Sequence, residues 1–151
     1  MRRHRAFTLL EFLITLVIVS FALLGIAGAV SVSLKNDQSA YFRSQAVLLA
    51  GDIIDRMRAN RPTAEAATSP YTLALCPTFP DRLAGSGVPH DDLQEWCDEL
   101  DATFPPHTGT GSVSMDAATR KVTVVVQWDD SRGSGDPDAL KAQQMTIETR
   151  L

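Results

Sequence analysis

Ala6-Phe7-Thr8-Leu9-Leu10-Glu11, followed by Phe12 to Leu34 without a charged residue, decides the fold of this 151-residue chain. The uncharged run is 23 residues long, and about 20 apolar residues in a helix cross a bilayer. A single carboxylate, Glu11, stands at its edge. An ionised carboxylate in hydrocarbon costs on the order of 3 kcal/mol even on mild insertion scales, so such a group is kept for a partner or a function. No basic side chain lies closer upstream than Arg5. A cut between Ala6 and Phe7 would remove even that one and expose an α-ammonium on Phe7. The Glu11 of a neighbouring copy could neutralise this ammonium inside an apolar assembly.

These residues resemble the type III signal of type IV pilins and pseudopilins, in which a small residue precedes Phe-Thr-Leu-x-Glu and an apolar helix. The resemblance implies that an inner-membrane prepilin peptidase cuts after Ala6 and methylates the new amine of Phe7. It also implies that Glu11, fifth in the mature chain, orders subunits in a filament. Ala6 stands where the family usually has Gly, so slower processing is expected. Two other expectations compete: an uncleaved single-span anchor, and a secretory signal peptide cut near the small residues Ala27-Gly28-Ala29. The long uncharged run and its opening carboxylate count against the second.

Arg2, Arg3 and Arg5 precede the span, and Lys35, offset by Asp37, follows it. The positive-inside rule then places the leader in the cytoplasm and residues 35–151 across the inner membrane. The expected organisation is a leader over 1–6, a membrane or filament stem over 7–34, an amphipathic continuation over 35–61 and a periplasmic head over 62–151. The head is large enough for one small core. The formal charge of −4 becomes −7 once the three leader arginines are lost, which gives no electrostatic reason to bind nucleic acid. Arg43, Arg56, Arg58 and Arg61 alternate with Asp52 and Asp55, as on a solvated helix face.

Cys76 and Cys97 are the only cysteines, and an oxidising compartment favours their pairing. Two free thiols or a metal pair are the alternatives, the latter lacking further ligands at suitable spacing. Phe42, Ala46, Leu49, Ile53 and Met57 form one helical stripe, with Asp52 and Arg56 paired on the opposite side. Pro62 disfavours helix at Arg61, so one helix is expected from about residue 8 to 60. Residues 62–90, with Pro62, Pro70, Pro77, Pro80 and Pro89, read as irregular. A short helix then carries Leu93, Trp96, Cys97 and Leu100 inward and ends at Pro105-Pro106. Strands follow at Ser112–Met115, at Lys121–Trp128 with Val122, Val124, Val126 and Trp128 on one face, and at Ala142–Arg150 with Met145, Ile147 and Leu151 inward. The expected fold is α+β: a lollipop whose long helix carries a small antiparallel sheet.

His4, His90 and His107 have no partner at a metal-binding or catalytic spacing, and no phosphate loop or nucleophile elbow is present. No enzyme, cofactor or metal is expected. Asp129, Asp130, Asp136 and Asp138, with Gly133 and Gly135, do not follow the EF-hand order and read as a solvated turn. The stretch from Arg43-Ser44-Gln45-Ala46 through Asp52-Ile53-Ile54-Asp55-Arg56-Met57-Arg58-Ala59-Asn60-Arg61 resembles the PilV minor pilins, the type IV pilus modification proteins, as do the late Cys, the Trp-bearing helix and the Val-Val-Val-Gln-Trp-Asp strand. Gly28, where many major pilins have Pro, is also more like minor pilins. The resemblance implies a scarce subunit that joins other minor pilins, the major pilin and the inner-membrane assembly platform. It would prime the pilus, ride at or near its tip, and support adhesion and twitching motility. A minor pseudopilin of type II secretion and a membrane-anchored binding module are the alternatives.

Overall fold

A computed structural model of the protein describes residues 8–77, 81–105, 108–130 and 143–151. The Ala6-Phe7 junction, His4, His107, Pro80, Pro106, Asp136 and Asp138 lie outside these residues.

The uncharged run and the amphipathic stretch form one helix, α1 (Leu9–Ala59), 51 residues long. At 1.5 Å per residue it spans about 75 Å. Its two halves differ in what surrounds them. Large apolar side chains from Leu9 to Leu34 are exposed, whereas Phe42, Ala46, Ala50, Ile53, Ile54 and Met57 are buried. Leu49 is partly buried beside them. The stripe is therefore wider than a single row, because Ala50 and Ile54 fill the adjoining row against the head.

α1 stops at Asn60, whose backbone leaves the helical region. Arg61 is nevertheless helical. It opens a one-turn helix, α2 (Arg61–Ala64), with Pro62 in its first turn, where the missing N–H would have had no helical acceptor. The proline thus starts a new turn as well as ending the old one. The next helix, α3 (Val88–Thr103), begins earlier than its apolar pattern predicts, with Pro89 again in the first turn. Leu93, Trp96, Cys97 and Leu100 are buried on its inner face.

The sheet is a meander of β1 (Thr110–Asp116), β2 (Lys121–Trp128) and β3 (Gln143–Arg150), antiparallel in the order β1-β2-β3. Val113 faces Val124 across the first pair, and Val124 faces Ile147 across the second. The β1–β2 turn is held by Asp116, which accepts from the Ala118 N–H at 2.9 Å and the Thr119 hydroxyl at 2.7 Å. Val122, Val124, Val126 and Trp128 are buried, and Met145, Ile147 and Leu151 pack partly buried against the same core. Residues on one face of a strand recur every second position, which is why this part of the pattern reads directly.

Trp96 joins the layers. It has no exposed surface, its indole N–H donates to the Leu49 carbonyl of α1 at 2.9 Å, and its ring lies on β1 where Gly111 has no side chain. A Cβ on Gly111 would lie 2.5 Å from Trp96 Cη2. The result is a long stem with an α+β head packed on its C-terminal half.

Candidate assembly site

Thr8 is the N-cap of α1, and its hydroxyl oxygen accepts from the Glu11 N–H at 3.3 Å. Glu11 lies in the first turn, where the positive end of the helix dipole favours a carboxylate. Thr-x-x-Glu is the spacing of a capping box, so Thr8 fixes where the helix starts and Glu11 follows three residues on. Sequence reasoning placed Glu11 at the edge of the span but overlooked Thr8, although the spacing was there to see.

From Phe12 to Leu34 the helix rises about 34 Å, close to the roughly 30 Å of a bilayer's hydrocarbon. Lys35, Asn36, Asp37 and Gln38 come next, and the first residue of α1 buried against the head is Phe42, about 12 Å beyond Leu34. Gly25 and Gly28 lie in this apolar half, and a Cβ at either would meet nothing within 4 Å. Their backbones are thus open to close approach by another helix. Leu34, Tyr41 and Leu48, seven residues apart, are exposed and share one side of α1, because seven residues return the helix to within about 20°.

The lower end of the head is fixed to the stem by an aromatic cluster. Phe104 lies between Phe42 and Trp128, with ring centroids 5.8 and 5.3 Å apart. Ser39 donates to Asp130 at 2.5 Å, and Asp130 is 2 % exposed. The expectation of a solvated acidic turn fails at Asp130, which is drawn under the head by this bond. The rest of that loop, 131–142, lies outside the described residues. Among the described residues no group of three or more His, Cys, Asp or Glu side chains is arranged to hold a metal.

Arg56 corrects a second expectation. It pairs with Asp52 at 2.7 Å as anticipated, but it faces α3 and not open solvent. Its guanidinium also reaches Glu95 at 2.5 Å, Asp92 at 3.7 Å and Glu99 at 3.8 Å. Hydrogen bonding to Glu95, opposed by partial burial and reinforced by Asp52, raises its pKa above the ordinary arginine value. Asp92 in turn accepts from the Tyr71 hydroxyl at 2.6 Å. Burial and this bond push the Tyr71 phenol up to about 12. Helical periodicity alone put Arg56 on the polar side; the carboxylates of α3 that draw it in are remote in sequence.

Cys76 and Cys97 form a disulfide with Cα atoms 5.7 Å apart. Backbone bonds bring Cys76 there: Leu73 and Val113 exchange two at 2.8 Å, and the Cys76 N–H donates to the Gly111 carbonyl at 2.8 Å. The irregular segment thus runs along the outer edge of β1 and delivers Cys76 to α3.

Residues 1–27 match the family described as the prokaryotic N-terminal methylation motif. No curated protein and no solved structure matches the chain. The chain therefore carries a prepilin-type signal on a long apolar helix, which implies processing by a prepilin peptidase and assembly as a pilin or pseudopilin.

Proposed function

We propose that this protein is a minor pilin of the PilV type. After cleavage between Ala6 and Phe7 and methylation of Phe7, it joins other minor pilins in the inner membrane to prime type IV pilus assembly. It then stays at or near the tip, next to the major pilin, and supports adhesion and twitching motility. The observation that carries this is the continuity of α1. A methylation signal leads into one helix whose first half is bare and apolar and whose second half bears the head.

Before assembly, the bare half sits in the inner membrane, the leader faces the cytoplasm and the head lies in the periplasm. The uncharged rise is close to the hydrocarbon thickness, which supports a reading with Glu11 at the cytoplasmic edge and the aromatic base of the head near the opposite surface. In the filament, Glu11 neutralises the ammonium of a neighbouring subunit. The face bearing Leu34, Tyr41 and Leu48 is left by the head for helix contacts. The acidic head chooses partners and is not a nucleic-acid surface.

Deletion of the gene, with complementation, tests this by the quantity of pili sheared from the surface. Loss restored by complementation is the expected result. Unchanged pili together with defective export of extracellular enzymes would replace the proposal with a minor pseudopilin. Glu11→Ala separates the steps: insertion and cleavage persist while incorporation falls.

A further inference from the structure

His90 lies in the first turn of α3, and each of its ring nitrogens meets an acceptor. Nδ1 is 2.9 Å from Asp91 Oδ1, and Nε2 is 3.1 Å from the Leu83 carbonyl oxygen. Neither of these atoms can donate when Asp91 is ionised. A neutral imidazole carries one N–H, whereas an imidazolium carries two. Only the protonated ring makes both bonds. We propose that His90 is a proton-operated clasp that ties the segment 81–87 to α3.

The segment is built to respond to this one contact. It leads into α3 and is tied back to that helix by side-chain bonds. The Leu83 N–H donates to Gln94 Oε1 at 2.8 Å, so Gln94 and His90 hold the two polar groups of the same peptide residue. Gln94 is itself fixed by donating to Asp98 at 2.9 Å. Gly85, with φ of 142°, lies against the ring, where a Cβ would come within 3.1 Å of His90 Cδ2. Arg82 reaches Asp98 at 3.4 Å. Loss of the His90 proton leaves one N–H for two acceptors; ionised Asp91 is the stronger acceptor and keeps it, so the Leu83 carbonyl is released and the Gln94 bond alone holds Leu83.

The charges around the ring agree in sign. Asp91, from α3, is the ionisable group in direct contact with His90 among the described residues. Arg82 and Asp81, from the segment, lie toward Asp98 and Asp101 on the Cys97 side. Asp92, the next carboxylate of α3, turns toward Tyr71 and Arg56 of α1. Hydrogen bonding to Asp91 and then to the Leu83 carbonyl raises the pKa of His90 above the ordinary histidine value. A raised folded pKa adds stability below the unfolded value of about 6.5, and this is lost as pH rises through the folded value. The clasp is therefore closed in mildly acidic surroundings and opens on the alkaline side of 6.5. In the proposed periplasmic or surface location the head would meet such changes.

The test uses the full chain in detergent micelles. The His90 imidazole is titrated by NMR, with His90→Gln identifying its resonances, while amide exchange of Leu83 to Gly87 is followed over the same pH range. The prediction is a His90 pKa above 6.5 that falls in Asp91→Asn, with doubly protonated nitrogens on the acid side. Once the intrinsic pH dependence of exchange is removed, protection of the Leu83 amide should drop with the same midpoint. In His90→Gln that drop should be absent. A His90 pKa at or below 6.5, or Leu83 protection that ignores the His90 titration, would overturn the clasp. Thermal melting of both variants verifies that the head is folded, so a flat exchange profile in a folded His90→Gln protein supports the proposal.

Discussion

Removing the cross-link between Cys76 and Cys97 should weaken the head without shortening the stem. The two cysteines are 21 residues apart in sequence. On the chain-entropy account, closing a loop of that length stabilises the folded state by about 3 kcal/mol, because the unfolded chain loses freedom. Both sulfurs are buried within the head, with residue exposures of 4 % and 6 %, so Cys76→Ala with Cys97→Ala also loses a little packing. For a domain of this size, each 1 kcal/mol moves the melting temperature by about 4–8 °C. The double variant should therefore melt about 12–24 °C below the oxidised parent in the same micelles, followed by near-ultraviolet dichroism of Trp96 and Trp128. Adding a reductant should bring the parent down toward the variant and leave the variant unchanged. The far-ultraviolet helix signal of the apolar half should persist through the head transition. A fall of less than about 1 kcal/mol would refute the reasoning. It would mean that the segment from Cys76 to α3 is already restrained in the unfolded chain as tightly as the bridge restrains it.

Gly111→Ala should cost about 1–3 kcal/mol by chemical denaturation, as overpacking in a filled core does, because its Cβ would run into Trp96 and the Val125 carbonyl. Gly25→Ala, with open space around it, should leave head stability within about 0.5 kcal/mol. Arg56→Met should destabilise the head by about 1–3 kcal/mol, since carboxylates of α3 lose a charge-assisted partner; an unchanged denaturation midpoint would contradict the place given to Arg56. The Tyr71 phenol should ionise near pH 12 in an ultraviolet titration. Its folded pKa lies above the unfolded value of about 10, so the stability it contributes is present below pH 10 and is lost as pH rises toward 12. Tyr71→Phe should abolish that step.

Legibility in the sequence followed the range of each interaction. The stem was readable because hydrophobic length and the position of Glu11 are local properties, and α1 ends within a residue of the place Pro62 suggested. Strand β2 was readable to the residue because alternation of Val122, Val124, Val126 and Trp128 has a period of two. The pairing of β1 with β2 followed from the short turn at Asp116, and that of β2 with β3 from taking the simplest meander. Arg56 and Asp130 were misplaced for one reason. Each looks solvated among its sequence neighbours, and each is drawn inward by a group far along the chain, Glu95 or Ser39. Gly111 carried no signal either, since a glycine in a strand does not disclose that a tryptophan from another element needs its space. At the candidate assembly site, Glu11 stood out by its charge, whereas Thr8 required reading the same four residues as a helix start.

The measurement that tests the central claim most directly is the intact mass and N-terminal fragment mass of the protein isolated from the membrane of its own host. The account predicts a chain that begins with N-methylated Phe7 and retains Glu11 and the whole of α1. A chain that still begins at Met1, or one cut after Ala29, would contradict it, because neither would offer Glu11 a neighbouring Phe7 ammonium.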